Sequence, residues 1–160
     1  MALFSGKKPR GKGNLRATVQ MVEEVIREIK LDPDDNRLKT EDGTPAWGLM
    51  RGSAEVFIFV HRGGPADPDS HIQIVSPVMS LPESPEVETA LYRRLLTHNA
   101  EDLSGAAFGI KGTAVVLTAD RSTVDLDPSE VKDLILRIGY YADTYDDALV
   151  NEFGGRRHSD

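Results

Sequence analysis

Two of the four histidines lie at the ends of neighbouring predicted strands, where they are candidates for metal chemistry. His61 ends one strand, His71 begins the next, and Asp67 and Asp69 lie in the loop between them. Imidazole nitrogens and carboxylate oxygens are common zinc ligands. If the two strands pair, the histidines face each other. The sequence therefore leaves open a small metal-dependent enzyme or a metal sensor at His61 and His71.

Other patterns that carry chemistry are incomplete. Asp32, Asp34 and Asn36 have the alternate spacing that opens a calcium loop, but Arg37 stands where the loop needs Gly and Gly43 where it needs Glu. We interpret this stretch as a solvated turn. No serine lies in a G-x-S-x-G elbow, and no set of nucleophile, base and orienting group can be assembled. The sequence thus predicts a protein that is not an enzyme and has no cofactor.

The composition fits one ordinary globular domain. The chain has 160 residues, of which 39% are hydrophobic and 28% are charged, which suffices for one core. It contains no cysteine, which excludes disulfides and thiol chemistry and favours a cytoplasmic location. No apolar run approaches membrane-spanning length, and the amino terminus has no apolar signal region, so no membrane association is expected.

Charge is distributed unevenly along the chain. The net charge is −7, and an acidic surface repels phosphate backbones, so direct nucleic-acid binding is not expected of the domain. Residues 1–13 differ, because they carry Lys7, Lys8, Arg10 and Lys12 with almost nothing apolar. We predict a flexible basic tail over 1–13. An accessory contact with nucleic acid through this arm stays open as an alternative.

Helix and strand signals alternate over residues 14–153, which we predict to form a single α+β domain, with a second flexible tail over 154–160. The predicted order is α-β-β-β-α-β-β-α. Hairpin connections imply an antiparallel five-stranded sheet with the three helices packed on one face. The second helix is predicted to bury a stripe that includes Leu95 and Leu96 and to end at Asn99.

The last third of the chain has the strongest local signals. Lys111 and Gly112 join two apolar runs in a pattern that predicts a β-hairpin. Asp127, Pro128 and Glu130 predict a capped helix start. Apolar residues then recur at steps of three and four as far as Phe153, which predicts one long helix lying across the sheet.

Two groups of side chains are candidates for binding another protein. The first group is apolar and lies on the predicted strands between residues 45 and 61; it comprises Trp47, Leu49, Phe57 and Phe59. The second group is acidic and lies on the outer side of the last helix, where it could steer a basic partner; it comprises Asp143, Asp146 and Asp147.

Residues 95–99, which close the second helix, precede Ala107-Phe108-Gly109-Ile110, the apolar strand 113–118 and the long helix from Asp127 through Asp143. In these features the chain resembles the YbjN family, whose fold is shared with type III secretion chaperones of the Tir-chaperone kind. Residues 84–153 carry the resemblance, and the first half matches in element order. It implies a bacterial, non-enzymatic, often homodimeric protein that binds other proteins and is associated with regulation or stress responses. We therefore expect a chaperone-like or adaptor domain and no catalytic residues.

Overall fold

The computed structural model describes residues 14–65 and 69–157 of the chain. The expected basic tail at 1–13, the loop residue Asp67 and the last three residues lie outside the described part. Within it the elements are α1 (Leu15–Glu28), β1 (Arg37–Leu38), β2 (Ala46–Arg51), β3 (Ala54–His61), β4 (His71–Ser80), α2 (Pro85–Glu101), β5 (Ala107–Lys111), β6 (Ala114–Ser122) and α3 (Pro128–Phe153). None of these helices is long and apolar enough to cross a membrane.

The strands form one antiparallel sheet in the order β1-β2-β3-β4-β6-β5. The α+β class, the three helices and the antiparallel pairing agree with the sequence prediction, but the predicted number of five strands is wrong. The sixth strand is β1, in which Arg37 pairs with Trp47 and Leu38 with Ala46. Two residues are too few to show a period of two, so no sequence pattern predicts this strand. It forms because the turn after α1 meets the edge of β2.

The long helix α3 covers the middle of the sheet. Its start is a complete capping box: the Asp127 carboxylate accepts from the Glu130 N–H, and the Glu130 carboxylate accepts from the Asp127 N–H, each at 3.0 Å. Val131, Ile135 and Ile138 are fully buried. The helix contacts β2, β3, β4 and β6. One amphipathic face of α3 therefore joins four of the six strands into one core.

The helix comes close to the sheet at Gly139. A Cβ atom at this position would lie 3.0 Å from Arg51 Cβ, 3.1 Å from Arg51 Cγ and 3.5 Å from Val56 Cγ2. Glycine lowers intrinsic helix stability by about 1 kcal/mol relative to alanine. Its place in mid-helix is explained by this approach, because a larger side chain would push α3 away from β2 and β3.

The other two helices flank α3 on the same face. α1 contacts α3 and β3, and α2 contacts α3 and β5. Apolar residues of all three helices join the buried side chains of the sheet in one core cluster. Among the described residues, no helix packs on the opposite face, so that face and the sheet edges are where side chains can meet another molecule.

Two element ends differ from the sequence expectation. α2 continues past Asn99 to Glu101. Residues 154–157, expected as the start of a flexible tail, lie against β4: the Ser80 N–H donates to the Arg156 carbonyl at 3.0 Å, and Arg157 forms a β-bridge with Met79. The segment that follows α3 is thus held against β4 by backbone contacts.

Replacing Gly139 with valine tests the close approach of α3. We expect Gly139→Val to lower the free energy of unfolding by about 2 kcal/mol, because the added methyl groups overlap Arg51 and force the helix outward. Chemical denaturation measures the difference. Ala148→Val is the matched control: this position is exposed on the same helix, so only the helix propensity of valine, less than about 0.7 kcal/mol, is lost. Equal losses in the two variants would contradict the packing role.

The cap of α3 predicts a pH dependence. The Ser129 hydroxyl, followed by the Glu130 N–H, lowers the pKa of Asp127 below its ordinary value. The ionised carboxylate therefore favours the folded state above the unfolded pKa of about 3.9, and this contribution is lost as pH falls through the folded pKa. We expect Asp127→Ala to lower the Tm most near pH 7, with the difference shrinking towards about pH 3.

A second variant checks the cause of this shift. Ser129→Ala removes the hydroxyl that lies 2.6 Å from the Asp127 carboxylate, so the pKa of Asp127 should rise towards its ordinary value in an NMR titration. A constant Tm difference across the acid range, or an unchanged pKa in Ser129→Ala, would contradict the capping mechanism.

Candidate functional site

Exposed large apolar side chains concentrate at the two ends of the sheet. In the described part of the chain they are Leu38, Met50, Leu96, Ile110 and Tyr140. Leu38 and Met50 lie at the β1–β2 end. Leu96 and Ile110 lie at the other end, where α2 flanks β5. We call these the β2-edge surface, which also includes Gly48, Phe57 and Phe59, and the α2–β5 surface.

The uncovered face of the sheet has an apolar middle. Gly48, Phe57, Val75, Thr118 and Ala107 are partners in successive strand pairs, and residues that are directly opposite point to the same face. Val75 is 6% exposed, and Phe57 is half buried. Small or apolar side chains therefore line this face across β2, β3, β4, β6 and β5.

The same face is concave. Phe59 lies on β3 and Lys111 on β5, with two strands between them, which separates their strands by about 14 Å in a flat sheet. The Lys111 ammonium nevertheless lies 5.8 Å from the centre of the Phe59 ring. Sheet twist brings diagonal corners together on one side. Phe59 therefore lies inside a curved surface rather than on a flat one.

Leu38 and Phe57 meet over Gly48 on the β2-edge surface. A Cβ atom at Gly48 would lie 3.4 Å from Phe57 Cε1 and 3.5 Å from Leu38 Cδ1, which is ordinary van der Waals contact, so both side chains pack over this glycine. Met50 is two residues further along the same face and is 56% exposed. The surface thus offers an exposed thioether near a half-buried aromatic ring.

Some backbone hydrogen-bonding groups of β2 are free beside these side chains. β1 pairs with Ala46 and Trp47, and the Gly48 N–H donates to the Asn36 carbonyl at 3.0 Å. Backbone groups of alternate residues point the same way in a strand, so the N–H and C=O of Met50 also point away from β3. The described residues supply no strand partner for 49–51 on this side. An extended chain can therefore pair here.

Trp47 and Leu49 do not belong to this surface. They are 0% and 1% exposed, and they face the helices because they are the partners of Ile58 and Val56. The Arg37 guanidinium covers the Trp47 ring at 4.4 Å. These two candidates from the sequence are core residues, since the register with β3 places odd-numbered positions of β2 under the helices.

The three aspartates of α3 hold neighbouring segments in place. Asp143 accepts from the Ser53 hydroxyl at 2.9 Å, and this bond, followed by one from the Ser53 N–H, lowers the pKa of Asp143. Asp146 accepts from the same hydroxyl at 3.2 Å and is 7% exposed. Asp147 forms an ion pair with Arg157. The cluster ties the β2–β3 turn and the carboxy-terminal segment to α3.

His61 and His71 face each other across β3 and β4. Their rings are stacked with centroids 4.7 Å apart, and His71 Nε2 lies 3.6 Å from the Asp120 carboxylate. Within the part of the chain that the structure describes, no group of three or more side chains could hold a metal ion. Asp67 lies outside that part. The observed geometry is a ring stack beside one carboxylate.

The α2–β5 surface contains two grooves. One has a volume of about 280 Å³, lies between α2 and β5 and is lined by Tyr92, Leu95, Leu96, Asn99, Phe108, Gly109 and Ile110. The other, of about 530 Å³, follows the outer side of α2 and is lined by Thr89, Arg93, Leu96, Thr97, Ala100 and Glu101. Leu96 is 68% exposed.

Sequence reasoning missed the α2–β5 surface because it placed Leu96 in the buried stripe with Leu95. Adjacent residues on a helix point about 100° apart, so a narrow contact buries one of them and leaves the other outside. Leu95 is 4% exposed and fills the core. The adjacent leucines were themselves the available signal that one of them lies outside the core.

Two comparisons agree with this architecture. One chain in the crystal structure of the ExsC–ExsE complex superposes with a TM-score of 0.56 at 14% identity, covering 84% of this chain and 95% of the other. One chain in the HopA1–SchA chaperone–effector complex superposes with a TM-score of 0.54 at 10% identity, covering 83% and 94%. At these identities the likeness establishes the fold. No curated protein has a significant sequence match to the chain.

A family model described as "T3SS (YopN, CesT) and YbjN peptide-binding chaperone 1" matches residues 16–160. This match confirms the resemblance noted in the sequence and extends it into the first half of the chain, where sequence inspection found agreement in element order alone. Since this family model matches most of the chain, the protein belongs to the family of type III secretion and YbjN peptide-binding chaperones.

Proposed function

We propose that this protein is a chaperone-like peptide-binding module without enzymatic activity, and that it holds an extended segment of another protein at the β2-edge surface. The observation that carries the proposal is the free backbone of β2 around Met50, which lies beside exposed and half-buried apolar side chains. Strand addition to a sheet edge is a recurring mode of peptide recognition. Family membership supports peptide binding in general.

Backbone and side chains have different tasks in this proposal. The outward N–H and C=O of Met50 bond to the backbone of the added segment whatever its sequence is, so affinity does not require one motif. Alternate side chains of the segment point to the uncovered face, where Leu38, Met50 and Phe57 offer apolar contact. Apolar residues at every second position are therefore preferred.

Charge favours a basic or mixed-charge client. The chain carries a net charge of −7, and complementary charge accelerates association. The absence of cysteine supports a cytoplasmic setting, and the resemblance to YbjN proteins supports client binding that serves regulation or a stress response. An adaptor role follows from the same chemistry, since holding a segment can either protect it or present it.

We further propose that the protein is a homodimer formed through the outer side of α2. Arg93 and Glu101 lie four residues on either side of Thr97, which separates them by about 12 Å along the helix. When two copies of α2 cross antiparallel at Thr97, each Arg93 faces the other copy's Glu101. Small residues between them, Thr97 and Ala100, permit close approach, and the exposed Leu96 supplies apolar area.

Peptide selection tests the client site. Random peptides captured by the wild-type protein should carry apolar residues at alternate positions. Met50→Ser should weaken their binding about tenfold, because one buried Met side chain contributes about 1.5 kcal/mol or more. Fluorescence anisotropy measures the affinities. Tyr140→Ser is the matched control, since Tyr140 is 67% exposed on α3 away from the β2-edge surface. Failure to enrich any peptide, or equal losses in both variants, would contradict the proposal.

Charge reversal tests the dimer. Light scattering should give the wild type twice the chain mass of 17.6 kDa. Arg93→Glu should weaken the dimer about tenfold, because it creates two like-charge contacts of about 0.7 kcal/mol each. Adding Glu101→Arg should restore the affinity. A monomeric wild type, or a double variant as weak as the single one, would show that α2 does not form the interface.

A further inference from the structure

We propose that Asn99 closes the β5 edge of the sheet to strand pairing and thereby prevents copies of the protein from joining edge to edge. The inference concerns self-association through the backbone and does not require that the β2-edge surface bind a client. It uses a residue that the sequence pattern assigned to ending α2, a task that Asn99 does not perform.

The side chain of Asn99 imitates a neighbouring strand. Its Oδ1 accepts from the Phe108 N–H at 2.7 Å, and its Nδ2 donates to the Phe108 carbonyl at 3.2 Å. An amide side chain has one acceptor and one donor group side by side, as the backbone of a pairing residue does. Both edge groups of Phe108 are therefore occupied from within the chain.

One capped residue removes much of this edge. β5 has five residues, Ala107–Lys111, and backbone groups of alternate residues point outward. The backbone N–H and C=O of Phe108 point towards α2. Ile110 is the other residue of the strand whose backbone groups point the same way. With Phe108 occupied, an incoming strand can pair with Ile110 alone within β5. The cap therefore removes one of the two outward-facing residues of β5, and with it half of the backbone hydrogen bonds that this edge could form.

Without the cap, the β5 edge could pair with the β2 edge of another copy of the protein. β1 leaves the outward groups of Met50 free on β2. If β5 were also free, the β2 edge of one copy could pair with the β5 edge of the next. Such a contact joins different surfaces and does not close on itself, so it propagates into open-ended assemblies. Capping β5 stops propagation while it leaves the outer side of α2 accessible.

Size measurements on variants test this inference. We expect Asn99→Ala to form species of increasing mass as its concentration rises, detected by light scattering, while Asn151→Ala, an exposed control on α3, keeps the wild-type mass. Adding Met50→Pro to Asn99→Ala removes the outward N–H at the β2 edge and should return the protein to the wild-type mass. Equal growth with and without Met50→Pro would overturn the inference, because aggregation would then not use that edge.

Hydrogen exchange tests the cap without relying on a variant that folds. In the wild type the Phe108 N–H should exchange at least about tenfold more slowly than the Ile110 N–H, since the Phe108 N–H is bonded to Asn99 and the Ile110 N–H faces outward.

Asn99→Asp retains an acceptor for the Phe108 N–H and loses the donor to the Phe108 carbonyl, so it should give assemblies of intermediate size. Equal exchange at Phe108 and Ile110 in the wild type would contradict the cap.

Discussion

The packing of α3 across the sheet is the constraint on which the rest of the structure depends. Four strands contact this one helix, and Gly139 permits the close approach to Arg51 and Val56. α1 and α2 add to the same layer from either side. Because all three helices lie on one face, no helix of the described residues covers the opposite face or the β2 edge of the sheet.

This one-sided arrangement separates two surfaces with different chemistry. The β2-edge surface combines free backbone groups of β2 with the apolar side chains of Leu38, Met50 and Phe57, which suits an extended chain. The α2–β5 surface presents the side chains of a helix, with Arg93 and Glu101 placed symmetrically about Thr97, which suits a second copy of the protein. Asn99 occupies the outward backbone groups of Phe108 in β5, and in our proposal this leaves the α2–β5 surface to act through the side chains of α2.

The candidate site was predictable in part. The strict alternation along β3 indicated that Phe57 and Phe59 share one face, and the structure shows that this face lies opposite the helices. The burial of Trp47 was not predicted, since β2 is short and apolar and its register is set by pairing with β3. The aspartates of α3 were expected on its outer side, but Asp146 is 7% exposed. Charge alone did not reveal that Asp143 and Asp146 share the hydroxyl of Ser53, which lies 90 positions before Asp143.

The sequence by itself determined the α+β class, the order of the larger elements, the hairpin at Gly112 and both ends of α3, because caps, turns and periodicity act between residues close in the chain. Tertiary structure decided the rest. β1 exists only as a partner of β2, Asn99 finds its partner Phe108 nine residues later across a turn, and the curvature that brings Lys111 to Phe59 accumulates over several strands. Contacts between distant segments depend on register and twist, which local patterns do not encode.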